Sequence, residues 1–378
     1  MNKFISKKIL LAVLYFAVSI ATYAQSNDWC VQRVNSQKSF PKTVPAGNYS
    51  GITHLHDNVY AVVSDKSDSA LYFNFRIQIN PKTGVIENVE NLGFTERVDG
   101  TGFDHEAIAK VSDSTIVVAS EGKYNLKEYL IGGKEHANVN IVHQPKLWEC
   151  TWSSSLFYPN YVFESLAYDV NRQFLWTVSE STLRMDGEPA TPQNMVSNKL
   201  RLLKFDWHQQ AMSQRKKWLV SKEEQNPNIE AYIYQMDEPS TRKKGQTYVQ
   251  GVSELCVLPD GQLLVLEREA FIPKWKLGAF CKCKLYIVNP LKESAISLFD
   301  SIGAGTTCLK KRLLTEWKTR LTLLGRSFAN YEGMCLGPKL ADGSQVLVLL
   351  SDSQDRYKGV LKDFFKTIVI KNLNSKQK

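Results

Sequence analysis

One two-strand unit is written five times along this chain, and that repetition limits the fold more than any other feature. Residues 330–354 read NYEGMCLGPKLADGSQVLVLLSDSQ: a Glu-led apolar run, a Gly-containing turn, then a β-rich run ending on Ser351-Asp352. Alternating apolar runs around a turn predict two short antiparallel strands. The pattern recurs at 103–122 (FDHEAIAKVSDSTIVVASEG), 163–180 (FESLAYDVNRQFLWTVSE) and 252–269 (VSELCVLPDGQLLVLERE). A fifth copy, 49–65 (YSGITHLHDNVYAVVSD), carries Ser50 where the others carry Glu.

The corresponding positions Ser50, Glu106, Glu164, Glu254 and Glu332 are separated by 56, 58, 90 and 78 residues. A period of ~40–60 residues with four strands per unit marks a β-propeller. A single four-stranded sheet cannot cover both of its faces, so blades must stack around an axis to bury them. The expected class is therefore all-β, a propeller with five recognisable repeats and five or six blades. The two long intervals carry inserts or hide a degenerate sixth blade. A pair of β-sandwiches is the competing fold, and five copies of one unit argue against it.

Further strands are expected at 71–79 and 85–92, at 129–131 and 139–142, and at 200–207, 217–220 and 231–236. Others are expected at 284–288, 295–299 and 366–373. Helical inserts are expected around 221–226 and at the basic stretch 309–324. A strand at 30–34 would close the ring against the C-terminal blade.

The first 24 residues have a basic start (Lys3, Lys7, Lys8), an apolar run at 9–20 and small residues at Thr22 and Ala24. This is the pattern of a secretory signal peptide cleaved after Ala24, leaving residues 25–378 as a single domain. The apolar run is short for a spanning helix, and no later segment is apolar enough to cross a membrane. The expected location is periplasmic or extracellular.

The whole chain carries a formal charge of +9. Removing the leader takes away three Lys and no acids, leaving a mild positive balance without the basic–aromatic interleaving of a nucleic-acid binder. Seven cysteines remain, an odd number, so at least one is unpaired within the chain. Cys281-Lys282-Cys283 lacks the companion ligands of a zinc site, and Cys256 and Cys335 inside repeat strands suit buried thiols. No GxSxG elbow, phosphate-binding glycine loop or HExxH set occurs. His54 and His56 alternate along a strand as an exposed pair.

The repeats carry acids at two phases. Glu106, Glu164, Glu254 and Glu332 stand near the start of the first strand of each unit. Asp65, Glu121, Glu180, Glu269 and Asp352 follow the end of the second. Antiparallel neighbours place the start of one strand beside the end of the next, so both sets are expected at one mouth of the axis. Crowded carboxylates need an answer: a hard cation with oxygen ligands, a basic partner, raised pKa values, or hydrogen bonds from backbone amides. Arg268, within Leu266-Glu267-Arg268-Glu269, is the counter-charge inside a repeat, with Arg201 a weaker candidate.

These motifs together, Phe163-Glu164-Ser165-Leu166-Ala167, Ser179-Glu180, Ser253-Glu254-Leu255, Leu266-Glu267-Arg268, Asn330-Tyr331-Glu332-Gly333 and Ser351-Asp352, resemble the phytase-like family, whose domain is described as "esterase-like activity of phytase". Asp104-His105-Glu106 with Ser120-Glu121-Gly122, and Tyr49-Ser50-Gly51 through Ser64-Asp65, fit the same pattern. The resemblance spans about residues 45–370. It implies a propeller-like fold, recurrent acidic residues and a phosphomonoesterase or phosphodiesterase activity.

On this footing the expected function is hydrolysis of an anionic small-molecule phosphoester, assisted by a divalent cation with Ca²⁺ as first choice. Glu106, Glu164, Glu254 and Glu332 are the candidates for base or metal roles, with Asp65, Glu121, Glu180 and Asp352 as metal companions and Arg268 orienting the phosphate. The alternative is a non-catalytic propeller binding a ligand or partner protein at the same mouth. Glycan binding, prompted by the many aromatics, is a third.

Overall fold

The structure, a computed structural model, describes residues 28–97, 104–131, 148–207, 217–221, 229–303, 305–323, 325–353 and 361–374. The leader 1–24, the strand expected at 139–142 and nearly all of the insert around 221–226 lie outside the described residues. Within them the regular elements are strands, apart from two single 3-10 turns at Ser154–Leu156 and Pro290–Lys292. No described helix is long and apolar enough to cross a membrane.

The strands form five sheets, and each repeated unit supplies the first two strands of one of them. Blade 1 runs Tyr49–His56, Val59–Ser64, Ala70–Ile79 and Ile86–Glu96. Blade 2 runs His105–Lys110, Thr115–Ser120, Asn125–Leu130 and Glu149–Trp152. Blade 3 runs Phe163–Asp169, Phe174–Ser179, Lys199–Asp206 and Ile229–Gln235. Blade 4 runs Thr247–Val257, Leu263–Ile272, Phe280–Val288 and Lys311–Arg320. Blade 5 runs Asn330–Lys339, Gln345–Asp352 and Phe365–Asn372, and its outer strand is the N-terminal Trp29–Val34. That last pairing, Trp29 opposite Asn372 through Val34 opposite Ile368, joins the two ends of the chain and closes the ring.

The first strand of each blade packs beside the first strand of the next, and Asn330–Lys339 returns to Tyr49–His56. Five strands thus surround one axis, and the fold is a five-bladed β-propeller. The hydrophobic effect explains the closure directly. Each of five buried clusters fills the gap between one pair of consecutive blades. Strands near the axis are therefore buried on both faces, and every residue of Gln345–Asp352 is buried.

Several elements differ from the sequence expectation. The basic stretch expected as a helix at 309–324 is the outer strand Lys311–Arg320. Its pairing with Phe280–Val288 slips at Leu314, so the two-residue alternation is broken and charged residues fall at helix-like spacing. Outer blade strands are edges, where Lys and Arg are common because they discourage pairing with other chains. Lys217–Val220 lies parallel to Glu149–Trp152 and belongs to blade 2 rather than to the third unit. Within the stretch expected at 295–299, Ile296–Ser297 pairs with Ile229–Gln235 of blade 3, not with blade 4. The long intervals hold these additions, and no sixth sheet occurs among the described residues.

Neighbouring blades come close one residue beyond the repeated position, where Gly51 faces the backbone at Ala107 and Gly333 faces that of Ser50. A Cβ at Gly333 would collide with the Ser50 carbonyl oxygen of blade 1. Gly333→Ala is expected to destabilise the fold by roughly 1–3 kcal/mol, the usual cost of overpacking, read as a lower denaturant midpoint with an unchanged slope.

Candidate functional site

The inner strands carry a bulge near their starts. Pairing skips Ser50-Gly51, Glu106, Glu164, Ser253 and Glu332 in blades 1 to 5. A bulge leaves one residue outside the ladder and re-aims its side chain. The bulged residue of three blades is thus a glutamate, that of blade 4 is Ser253, and blade 1 has Ser50 in its bulged pair. Register then fixes the second set. Ser64, Ser120, Ser179, Glu267 and Ser351 pair with Tyr49, His105, Phe163, Val252 and Tyr331, so the next residues, Asp65, Glu121, Glu180, Arg268 and Asp352, are equivalent.

Two expectations change here. Glu254 is not equivalent to Glu106, Glu164 and Glu332: it follows the bulge, at the position of Ser165, and a one-residue slip reverses the side-chain direction. Its Oε1 accepts the backbone N–H of Leu166 and of Leu255 at 3.1 and 3.0 Å, so neighbouring amides hold it. Glu269 is likewise out of phase. It accepts hydrogen bonds from the Ser240 N–H and the Tyr248 hydroxyl, and Arg268 occupies the acid's place in blade 4. Arg201 is taken up elsewhere, bound bidentately to Asp186 in blade 3.

The remaining candidates converge. Oxygens of Asp65, Asp104 and Glu106 lie within 4.8 Å of one another, as do those of Glu106, Glu121 and Glu164, so Glu106 belongs to both groups. Ser50 Oγ donates to Glu106 Oε2 at 2.8 Å, and Val162 N–H donates to Glu121 Oε1 at 3.3 Å. Across the mouth, the two Nη atoms of Arg268 bind Glu180 and Glu332, and Nη1 also donates to Asn330 Oδ1 at 3.0 Å. Asn330 Nδ2 in turn donates to Glu332 Oε1 at 2.6 Å. Asp352 is buried near Glu332, and Lys66 reaches Asp65 at 3.7 Å.

Asp104, Ser50 and Asn330 were not predicted as site residues. Asp104 has a left-handed backbone (φ 52°), which aspartate tolerates better than most residues, and its carbonyl accepts the Glu121 N–H at 2.9 Å. The signal in the sequence was its place two residues before the bulged acid, the place that Asn330 fills in blade 5.

Electrostatics follow from this crowding in a site shielded from water. Burial, then Asp65, pushes the Glu106 carboxyl well above the usual carboxylate range. Burial, then Glu106 and Glu180, does the same to Glu164. Burial and Asp352 raise Glu332 despite Arg268, and burial raises Glu180 although Arg268 offsets it. Glu121 is pushed up to about 7 by burial, then by Glu180 and Asp104. Burial works against the Arg268 charge, but Glu180, Glu332 and Glu164 outweigh it and raise that pKa well above its ordinary value. The cluster's donors are hard oxygens that suit a divalent cation such as Ca²⁺ or Mg²⁺.

The class of protein is therefore a five-bladed propeller with an acid-lined mouth on its axis. The sequence profile of the phytase-like family, "esterase-like activity of phytase", matches residues 44–354. This chain belongs to that family. No curated protein matches it. Among solved structures, virginiamycin B lyase from Staphylococcus aureus is 12% identical, with a TM-score of 0.33, and the match covers 90% of this chain and 99% of that one. A streptogramin B lyase is 11% identical with a TM-score of 0.34, covering 88% and 97%. A DUF4221 family member from Bacteroides vulgatus is 10% identical with a TM-score of 0.35, covering 92% and 100%.

Two predictions follow from the charge balance. Glu121 keeps its proton to a higher pH folded than unfolded, so the folded state binds more protons between about pH 4.5 and 7. Its contribution is present below that window and lost as pH rises through it, on the order of 3 kcal/mol. Melting temperature in chelator is thus expected to fall from pH 5 to pH 8, and added Ca²⁺ to reverse the fall. Arg268→Met strands Glu180 and Glu332 without their partner and is expected to cost about 3–5 kcal/mol near pH 8. The loss should be smaller near pH 5, which urea titrations at the two pH values would compare.

Proposed function

We propose that the chain is an exported, cation-assisted phosphoester hydrolase working at the acid-lined mouth. The observation that carries this reading is the pair of carboxylate groups sharing Glu106, opposite a guanidinium fixed by Glu180 and Glu332. Asp65, Asp104, Glu106, Glu121 and Glu164 would hold the divalent cation, with Ca²⁺ as first choice. When bound, that cation supplies neutralisation of substrate oxygens and a lowered pKa for an attacking water.

The chain's own residues do the rest. Ser50 fixes one oxygen of Glu106, and the Val162 amide fixes one of Glu121, so both carboxylates are oriented before substrate arrives. Arg268 holds Glu180 and Glu332 in place. Nη1 donates to Asn330 and Glu332 and Nη2 to Glu180, and among the described residues Nε has no partner, so a phosphate-orienting role would rest on Nε and the second N–H of Nη2. Glu121, raised to about 7 by burial, Glu180 and Asp104, would give up its proton near neutral pH as the cation binds. Glu254, tied to amides on the far side of the bulge, has no part in the chemistry.

A non-catalytic reading has its own supporting observation. The opposite end of the axis opens as a cavity of about 530 Å³ lined by all five inner strands, including Ile52, Ile108, Leu166, Cys256 and Met334. In that case the acid mouth holds a structural cation and the cavity takes a ligand.

Assays on phosphomonoester, phosphodiester and phytate substrates, with and without chelator, separate the two. The hydrolase reading expects chelator-sensitive turnover. It also expects Glu106→Gln to lower it by about 100-fold or more, since losing even an outer-shell partner of a metal costs 10–100-fold. Ligand binding with no turnover on any of these substrates would overturn it.

A further inference from the structure

The hairpin between the second and third strands of blade 4 ends in a tip unlike the rest of the surface. Trp275 is 86% exposed, Leu323 of the neighbouring loop 84%, and Leu277 50%. The two loops are joined: Gly278 N–H donates to Leu321 O and Leu321 N–H to Ala279 O, each at 2.9 Å. A third loop joins their base, where Gln246 N–H donates to Ile272 O at 2.8 Å. Large apolar side chains this exposed are not accounted for by folding, and clustered ones mark an interaction surface.

The charge around them has one sign. Segments 240–246 (STRKKGQ), 272–280 (IPKWKLGAF) and 318–327 (KTRLTLLGRS) hold Arg242, Lys243, Lys244, Lys274, Lys276, Lys318, Arg320 and Arg326 and not one Asp or Glu. Repulsion among them is already felt. Burial, then Arg320, lowers the Lys318 pKa; Glu269 works against this, and Lys282 and Lys243 add smaller contributions in the lowering direction. Lys318 lies over the Phe280 ring, 3.3 Å from its centroid, which keeps its charge at the base of the tip.

We infer that this blade 4 tip is a docking surface for an anionic lipid bilayer, with Trp275 and Leu323 entering the interface and the surrounding Lys and Arg meeting the headgroups. Trp and Leu beside cations are the composition of a membrane-surface contact. An apolar tip inside a uniformly basic collar fits an apolar layer beneath an anionic one. An acidic protein face would supply the charge without the apolar depth. The strand Leu263–Ile272 runs four residues past Arg268, ~13 Å at ~3.3 Å per residue. The tip therefore projects on the same side as the acid mouth, and docking would turn that mouth toward the bilayer. The inference does not depend on the hydrolase reading, because none of these residues touches the acids at the mouth.

Co-sedimentation of the purified chain with vesicles tests it. Phosphatidylcholine vesicles carrying about a quarter phosphatidylglycerol are expected to pellet the protein, and pure phosphatidylcholine far less. Trp275→Ala/Leu323→Ala should abolish the pelleting, with an unchanged far-UV spectrum because both residues are exposed. Each Lys→Gln change among Lys274, Lys276 and Lys318 should weaken binding about fivefold, and added salt should weaken it further. Equal pelleting by neutral vesicles, no pelleting by either, or retention of binding in the double variant would overturn the proposal. Binding to polyglutamate but to neither vesicle would also overturn it, in favour of an acidic protein partner.

Discussion

The structure depends on a conflict between packing and charge at the centre of the ring. Closing five blades brings ten equivalent positions of the inner hairpins to one mouth, and acids occupy most of them. In bulk water two unit charges 4 Å apart repel by only about 1 kcal/mol, but at the lower effective dielectric of a protein that rises several-fold. The fold tolerates the cluster through one substitution in the repeat. Blade 4 carries Arg268 where its counterparts carry acids, and the guanidinium bridges the glutamates of blades 3 and 5. Breaking the symmetry in a single blade divides the mouth. In one half Arg268 binds Glu180 and Glu332, and in the other the carboxyl oxygens gather around Glu106.

The architecture was legible because its cause is local and repeated. Each hairpin carries its own turn and apolar run, and burying both faces of such sheets requires a ring. The N-terminal strand at Trp29–Val34 was foreseeable for the same reason, since an open ring would leave two unpaired edges. The site was less legible, because a bulge moves a side chain by one residue without changing the composition of a motif. Glu254 looked like a member of the inner acid set because Ser253-Glu254-Leu255 resembles Glu164-Ser165-Leu166 with two letters exchanged. Matching Leu255 to Leu166, the residues that face the core, gives the right phase. The same slip exchanged Glu269 for Arg268. The strand Lys311–Arg320 was misjudged because its own bulge disguised the two-residue period.

Glu254 shows what the site excludes as well as what it contains. Gly51, Ala107, Ser165 and Gly333 occupy its position in the other blades, all small because the strands crowd the axis there. The Glu254 side chain fills that crowded point instead, held by the Leu166 amide of blade 3 and its neighbour Leu255. Burial raises its pKa well above the carboxylate range, and amides of Leu255, Leu166 and Met334 only partly offset this. A neutral carboxyl there adds no further negative charge to the mouth and still satisfies two amides on the edges of inner strands. It also stands between the acid mouth and the cavity at the other end, whose lining includes Leu166, Leu255 and Met334. Along its own strand Glu254 thus falls between the bulge at Ser253, on the side of the acid mouth, and the cavity-lining residues Leu255, Cys256 and Val257.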